Sequence, residues 1–426
     1  MVLEMRKMKD SGIEWIGDIP EGWEVVPVKR LCTMQAGKNL TSERIAPEGT
    51  YPVYGGNGIR GFFSDYNCDG QFLTVGRQGA LCGNVHKING KVWATEHAVI
   101  TTPSSYTSLD FLYYLLIGMD LNQYVSSTAA QPGLAVGTLL NLKTCYPCST
   151  LEQTQISNYL NAKCSEIDVM LSKTRSSIEE YKKLKQTVIT QTVTKGVRGE
   201  RGMKDSGVEW IGEIPKEWIC EKIKYATSIS RGLFNHRPRN DERYYNGKYP
   251  FIQTGDVANA TKYIVSYSQT LNELGKAVSK EFPKGTLTMT IAANVGDVAI
   301  LNFDAYLPDS VVGFIPNKNI RILYLFYVFS AMKDEFTRTA IKSTQLNLNI
   351  DRVKETFIPV TLNVNEQCEI ENYLESKCAE IDGLIAKKEQ LVKELESYKK
   401  SLIYEVVTLS VTGIKVSFTR SIFKLS

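Results

Sequence analysis

Met8 to Trp23 reads MKDSGIEWIGDIPEGW, and Met203 to Trp218 reads MKDSGVEWIGEIPKEW. Twelve of the sixteen positions are identical. The chain therefore contains a duplicated unit, and such a repeat governs the architecture before any local pattern does. A second pair of segments repeats too: Glu152 opens EQTQISNYLNAKCSEID and Glu366 opens EQCEIENYLESKCAEID. The first pair is offset by 195 residues and the second by 214. Between these ends, residues 24–150 and 219–364 share no comparable similarity. Repeated ends make a common frame; divergent middles are free to recognise different things.

The second pair of repeats opens two amphipathic helices. Apolar or core-compatible residues recur at Ile156, Leu160, Cys164, Ile167, Met170, Leu171, Ile178, Tyr181, Val188 and Ile189. They recur again at Ile370, Leu374, Cys378, Ile381, Ile385, Val392, Leu395, Tyr398, Leu402 and Val406. Steps of mostly three and four mark one helical face. Each helix would run about 42 residues, or roughly 63 Å. A stripe of that length calls for a partner of equal length, and the other copy is the natural one. We expect antiparallel pairing through Ile156, Leu160, Ile167, Ile178 and Tyr181 on one side. Ile370, Leu374, Ile381, Leu395 and Tyr398 would answer on the other. Tyr181-Lys182-Lys183 corresponds to Tyr398-Lys399-Lys400 at an offset of 217, so the second helix carries three extra residues.

The middles alternate short strands and turns. Phe72–Val75, Ala80–His86 and Lys91–Ala94 are expected strands, with Asn89-Gly90 as a hairpin turn. In the second middle the expected strands are Tyr249–Gln253, Thr286–Ile291 and Val298–Leu301. Each middle places an aromatic-aliphatic helix late in the domain, Asp110–Met119 and about Ile320–Thr337. The expected boundaries are a recognition domain at 1–150 and a helix at 151–196. A second recognition domain follows at 197–362, its linker at 197–205, then a helix at 363–411 and a tail at 412–426. The fold class is α+β: two mixed α/β domains joined by two long antiparallel coiled-coil helices, with a pseudo-twofold internal repeat.

The totals exclude several classes. The 426 residues allow two to four domains, and a net charge of +4 permits nucleic-acid binding only through local patches. Nine scattered cysteines fit reduced thiols better than a disulfide framework. The N-terminal stretch lacks a signal-peptide pattern, and Ile320–Met332 is too short to span a bilayer. A soluble, cytoplasmic protein without membrane contact is expected. Gly56-Asn57-Gly58-Ile59-Arg60-Gly61 matches GxGxxG, but turn-like residues follow it instead of a helix, so it is not a dinucleotide site. There is no GxxxxGK[ST] phosphate loop and no Asn-Pro-Pro-aromatic signature. His86, His97 and His236 are the only histidines, and Cys145-Tyr146-Pro147-Cys148 is a lone CxxC, so zinc is not expected.

The repeated segments resemble the specificity subunits of Type I restriction–modification systems, the HsdS family. MKDSGIEWIGDIPEGW and its second copy look like the opening of each half of such subunits. QPGLAVGTLLNLKT, LSKTRSSIEEYKKLKQTVITQTVTKGV and IAKKEQLVKELESYKKSLIYEVVT look like the approach to the helices and the helices themselves. KYPFIQTGDV and MTIAANVGDVAIL resemble one class of target recognition domain. The likeness runs to about residue 410. It departs at Cys145–Ser149 and Val360–Leu362, where many relatives are proline-rich, and in the tail Gly413–Ser426. The resemblance implies a non-catalytic subunit that binds double-stranded DNA and reads a split, asymmetric site. It implies docking of two modification (methyltransferase) subunits and of restriction (translocase/nuclease) subunits. S-adenosylmethionine, ATP and magnesium would belong to those partners, leaving no cofactor and no metal here.

Base contacts favour Arg on guanine and Asn or Gln on adenine. In the first middle this singles out Asn57, Arg60, Arg77, Gln78 and Lys91, mostly beside glycines that allow close approach. In the second it singles out the basic loop with Arg231, Arg237 and Arg239, then Gln253, Thr254, Lys342 and Gln345. Each could equally be a solvated surface residue. Lys195, Arg198, Arg201 and Lys204 form a basic linker that could face DNA or act as a hinge. Two other classes stay open: a self-sufficient DNA enzyme, and an orphan recognition protein such as a repressor.

Overall fold

The computed structural model describes residues 7–78, 82–125, 133–292, 294–339, 341–342 and 346–408, with backbone only at 339, 341–342 and 346–347. The chain forms two compact units, Met1–Arg175 with Gln390–Ser426, and Ser176–Glu389. The boundaries fall inside two long helices, Thr150–Lys195 and Val364–Thr408, of 46 and 45 residues.

In the first unit the opening repeat folds into a small β-turned collar. The Asp10 carboxylate accepts the Gly12 amide at 2.8 Å, and Gly12 and Gly17 sit at φ of 66° and 70°. A side chain there would force left-handed strain, which glycine avoids. The turn folds Met8–Asp10 antiparallel onto Asp18–Pro20 and delivers Trp23 into the core. Strand Trp23–Pro27 then pairs antiparallel with Lys143–Pro147, so the domain closes beside its own entrance just before the long helix.

Between these two strands lies an antiparallel sheet in the order Cys32–Ala36, Ala98–Pro103, Gln71–Gly76, Val85–Asn89. A second, three-stranded sheet joins Gly58–Phe63, Tyr51–Gly55 and Trp93–Ala94, the last pair parallel. Helix Leu109–Gly118 buries Phe111, Leu112, Tyr114, Leu115 and Leu116. A helix apolar on nearly all sides is stable only inside a core.

The second unit repeats this plan. Asp205 accepts Gly207 N–H at 3.0 Å, and Met203–Asp205 pairs with Glu213–Pro215. Ile219–Lys222 pairs with Phe357–Val360. The main sheet runs Thr227–Arg231, Val311–Pro316, Leu287–Thr290, Val298–Leu301, with Tyr263–Ile264 added in parallel. A side sheet orders Gln269–Leu271, Tyr245–Phe251, Ala305–Leu307 and Lys280–Phe282.

Several expectations need correction. Asn89-Gly90 is not a hairpin turn. Gly90, at φ 104°, faces Gly70, at φ 116°, inside one continuing ladder, and the two share a 2.9 Å backbone bond. The hairpin turn is instead Gly56-Asn57, closing Tyr51–Gly55 onto Gly58–Phe63. The GxGxxG string is therefore this hairpin turn and the start of its second strand. Strand Ala80–His86 is observed from Val85, and its expected start lies outside the described residues. The helix expected over Ile320–Thr337 is two, Ile322–Ala331 and Lys333–Thr339, broken at buried Met332.

The helical stripe also behaves differently. Ile156, Leu160, Ile167, Ile178, Ile370, Leu374 and Ile381 are buried, Tyr181 and Leu395 are half-buried, and Tyr398 is 44% exposed. Ile156, Leu160, Cys164, Ile167 and Leu171 join the first unit's core together with Leu402, Ile403, Val406 and Val407. Ile189, Val193, Ile370, Leu374 and Cys378 join the second unit's core. The apolar ends thus belong to the globular cores as much as to the helix pair. Ion pairs flank them: Asp168–Lys399 (2.7 Å) and Arg175–Glu396 in the first unit, Lys185–Asp382 (2.7 Å) in the second. In the first unit the two pairs run antiparallel, Asp168 to Lys399 and Arg175 to Glu396.

Candidate nucleic-acid interface

The frame residues that recur in the sequence recur in space. Trp23 Nε1–H donates to Glu152 at 3.2 Å, and Trp218 Nε1–H donates to Glu366 at 3.1 Å. Gln153, fully buried, accepts Ser108 N–H at 2.7 Å and donates to the carbonyls of Tyr106 and Pro147. Gln367, equally buried, accepts Arg321 N–H at 2.8 Å and donates to Asn319 and Thr361. Each glutamine satisfies an otherwise orphaned amide at the start of the aromatic helix and fastens it to the long helix.

The basic linker belongs to this frame. Arg198 forks onto Glu369 at 2.8 and 3.0 Å, while Arg201 reaches Glu366, Glu217 and the Lys195 carbonyl. These guanidiniums brace the junction between helix and second domain; they do not present a free basic strip. Burial pushes the Glu366 carboxyl up, but hydrogen bonds from Arg201, Thr361 and Trp218 outweigh it and hold the group below its ordinary range.

Against this constant frame the variable residues gather at one end of each domain. In the first unit a Cβ on Gly76 would lie 1.9 Å from the Gly56 carbonyl oxygen, so the hairpin tip rests directly on the end of strand Gln71–Gly76. That contact brings Asn57, Arg77 and Gln78 together. Asn84 donates to Asn57 Oδ1 at 2.9 Å, and Arg77 N–H bonds the His97 carbonyl at 3.0 Å. Arg60 lies over Gly55 with Ser42 Oγ at 3.4 Å, and Ile59 beside it is 58% exposed. Among the described residues the Arg77 guanidinium makes no hydrogen bond or ion pair. Lys91 does not join this group. It sits over the Tyr66 ring at 4.6 Å, at the opposite end of the ladder, about 20 Å along the strand.

In the second unit the equivalent end is organised by Asp309, which the sequence did not single out. Arg231 Nε–H donates to its carbonyl at 2.6 Å, Arg237 Nη2 reaches its carboxylate at 3.1 Å, and Arg239 binds the other carboxylate oxygen. Parallel pairing of Phe251 with Tyr306 sends Gln253 and Thr254 off the same sheet end as Asp309. Gln253 spends its side-chain donor on Gln269 at 2.9 Å, and Thr254 opens helix Thr254–Asn259. Beside them His236 stacks on Tyr244 at 4.0 Å and bonds Asp241 at 2.9 Å. Hydrogen bonds from Arg243, then from His236, hold the Asp241 carboxyl well below its usual range despite some desolvation. The Lys342 side chain and Gln345 lie outside the described residues, as does the tail Gly413–Ser426.

Among the described residues no cluster of three or more His, Cys, Asp or Glu could hold a metal ion. Cys145 is buried with its thiol 3.8 Å from the Val407 carbonyl, whereas Cys148 is exposed, so the CxxC does not converge. A cleft of about 1420 Å³ in the first unit is lined by His86, Tyr113, Asn161 and four cations, of which Arg175 and Lys399 pair with Glu396 and Asp168 while Lys393 and Lys400 also line it. Among the described residues no helix is long and apolar enough to cross a membrane.

The architecture defines a class: an internally duplicated α+β chain whose two domains share a frame and differ at one exposed end. Comparison with known proteins gives that class its family. The model of the Type I restriction modification DNA specificity domain matches residues 20–180 and again 232–394. The chain belongs to the Type I restriction–modification specificity family. It is 45% identical to the Type I restriction enzyme EcoprrI specificity subunit of Escherichia coli over 121 residues, 28% of this chain and 30% of that protein. It is 25% identical to the MjaVIII specificity subunit of Methanocaldococcus jannaschii across 96% of this chain and 98% of that protein. A chain from a solved type I R-M system, described in terms of complex assembly and conformational transition, superposes with a TM-score of 0.68 at 14% identity. It covers 92% of this chain and 99% of its own length. At that identity the likeness establishes the fold.

Proposed function

We propose that each unit reads one half of a bipartite, asymmetric DNA site, and that the long helices dock two modification subunits and set the spacer between the half-sites. The chain itself is non-catalytic. S-adenosylmethionine, ATP and magnesium act on the modification and restriction subunits, in the cytoplasm where the DNA is. The observation that carries this reading is the contrast between the two sheet ends. They occupy the same place in one repeated fold, yet one presents Asn57, Arg60, Arg77 and Gln78, the other Arg231, Arg237, Arg239 and Gln253. Base-edge donors and acceptors of different types on equivalent scaffolds suit two different half-sites.

The experiment is methylome sequencing of cells expressing the modification subunit with and without this chain. A split adenine-methylated sequence should appear only with it. Methylation of an uninterrupted site, or methyl transfer by the purified chain alone, would contradict the proposal.

A further inference from the structure

The second unit's basic loop carries four arginines, and their surroundings sort them. Arg237 is consumed internally: its Nη1 donates to the carbonyls of Phe234 at 2.6 Å and His236 at 2.8 Å, and its Nη2 to Asp309. Arg243 spends Nε and Nη2 on Asp241 at 3.0 and 2.7 Å. Arg231 is held by one bond to a neutral carbonyl. Arg239 differs from all three. Among the described residues its guanidinium makes a single charge-assisted bond, to Asp309; the side chain's 49% exposure is no greater than that of Arg237 (54%) or Arg243 (76%), so it is the uncommitted donors that set it apart. Its own carbonyl accepts the Tyr245 hydroxyl, and Tyr245 stacks on Phe234 at 5.7 Å and 24°. Backbone and head group are thus both anchored while most of the donor fork faces outward.

A planar fork held this way matches the paired O6 and N7 acceptors of guanine in the major groove, and preorganisation limits the entropy lost on binding. We infer that Arg239 is the base-reading residue of the second unit, that it selects a guanine, and that Asp309 is its positioning residue. This rests on the reading that the second unit contacts DNA.

The test uses the chain assembled with its modification subunits and duplexes carrying the methylated site with each base pair replaced in turn. The unaltered complex should discriminate at one G·C pair of the second half-site by about tenfold or more. Arg239→Lys, which keeps the charge on a half-exposed side chain, should reduce that discrimination to about threefold or less. Asp309→Asn should weaken it at the same pair. Every pair of the first half-site should be read as before, and Arg243→Lys should leave the whole pattern unchanged. Full discrimination in Arg239→Lys, loss spread evenly over both half-sites, or an affected pair that is not G·C would overturn the inference while leaving the two-half reading standing. A complex with no split site at all would instead remove that reading.

Discussion

Gln153 and Gln367 show what the repeated letters encode. Each is fully buried, each makes three hydrogen bonds to backbone, and each joins the long helix to the aromatic helix and to the strand that precedes the long helix. Replacing Gln153 by Leu strands the Ser108 amide and two carbonyls, at roughly 1–3 kcal/mol per unsatisfied group. Chemical denaturation should show the first unit's transition falling and the second's holding. Glu366 adds a pH dependence. Its carboxyl is held below its ordinary value near 4.5, so its stabilisation is complete above that value and is lost as pH falls through the lowered one. The second unit should therefore unfold more easily on acidification, and Glu366→Gln should flatten that dependence in thermal melts followed by circular dichroism. These roles were not legible in the sequence. The partners of Glu152 and Glu366 are tryptophans 129 and 148 residues away, and no local spacing encodes such a contact. Asp309 was missed for the same reason: its arginines come from a loop 70 to 78 residues earlier.

The two long helices were legible as elements, because a stripe at steps of three and four survives any tertiary context. Their pairing with each other was legible too, and Asp168–Lys399 and Lys185–Asp382 join them; the share of each stripe taken by the domain cores was not, since burial at Leu160 or Leu374 reads alike whether a helix or a sheet covers it. The observed division predicts unequal sensitivity along one helix. Leu160→Ala, at a fully buried position, should cost about 2–5 kcal/mol in denaturant titration. Lys185→Ala removes an ion pair with an exposed Asp382 and should cost about 1 kcal/mol or less. Turns were harder to place than helices. Asn89-Gly90 and Asn57-Gly58 look equivalent as dipeptides, and only strand pairing tells a kink in a ladder from a hairpin tip. Gly76→Ala tests the tip that results: its Cβ would displace the Gly56 carbonyl, so reading of one half-site should degrade and the other persist. Equal loss in both would place the tip outside recognition. Four residues inserted near Leu184 lengthen the helix by about 6 Å. The spacer in the methylated sequence should widen by one or two base pairs, and an unchanged spacer at full activity would show that the helices do not set it.

At the scale of the molecule, duplication settled the plan: two recognition units on one repeated frame, with Trp23, Gln153, Trp218 and Gln367 holding corresponding places. The units differ in the strand count of both sheets, and at their equivalent sheet ends Asn57 and Arg77 stand on one and Arg239 and Asp309 on the other. The central claim is that these ends are independent readers. Exchanging residues 24–150 for the corresponding region of a relative with a known site, then sequencing the methylome, tests it most directly. One half of the methylated sequence should become the relative's, with the other half and the methylated base type unchanged. A change in both halves, or in neither while methylation persists, would contradict it.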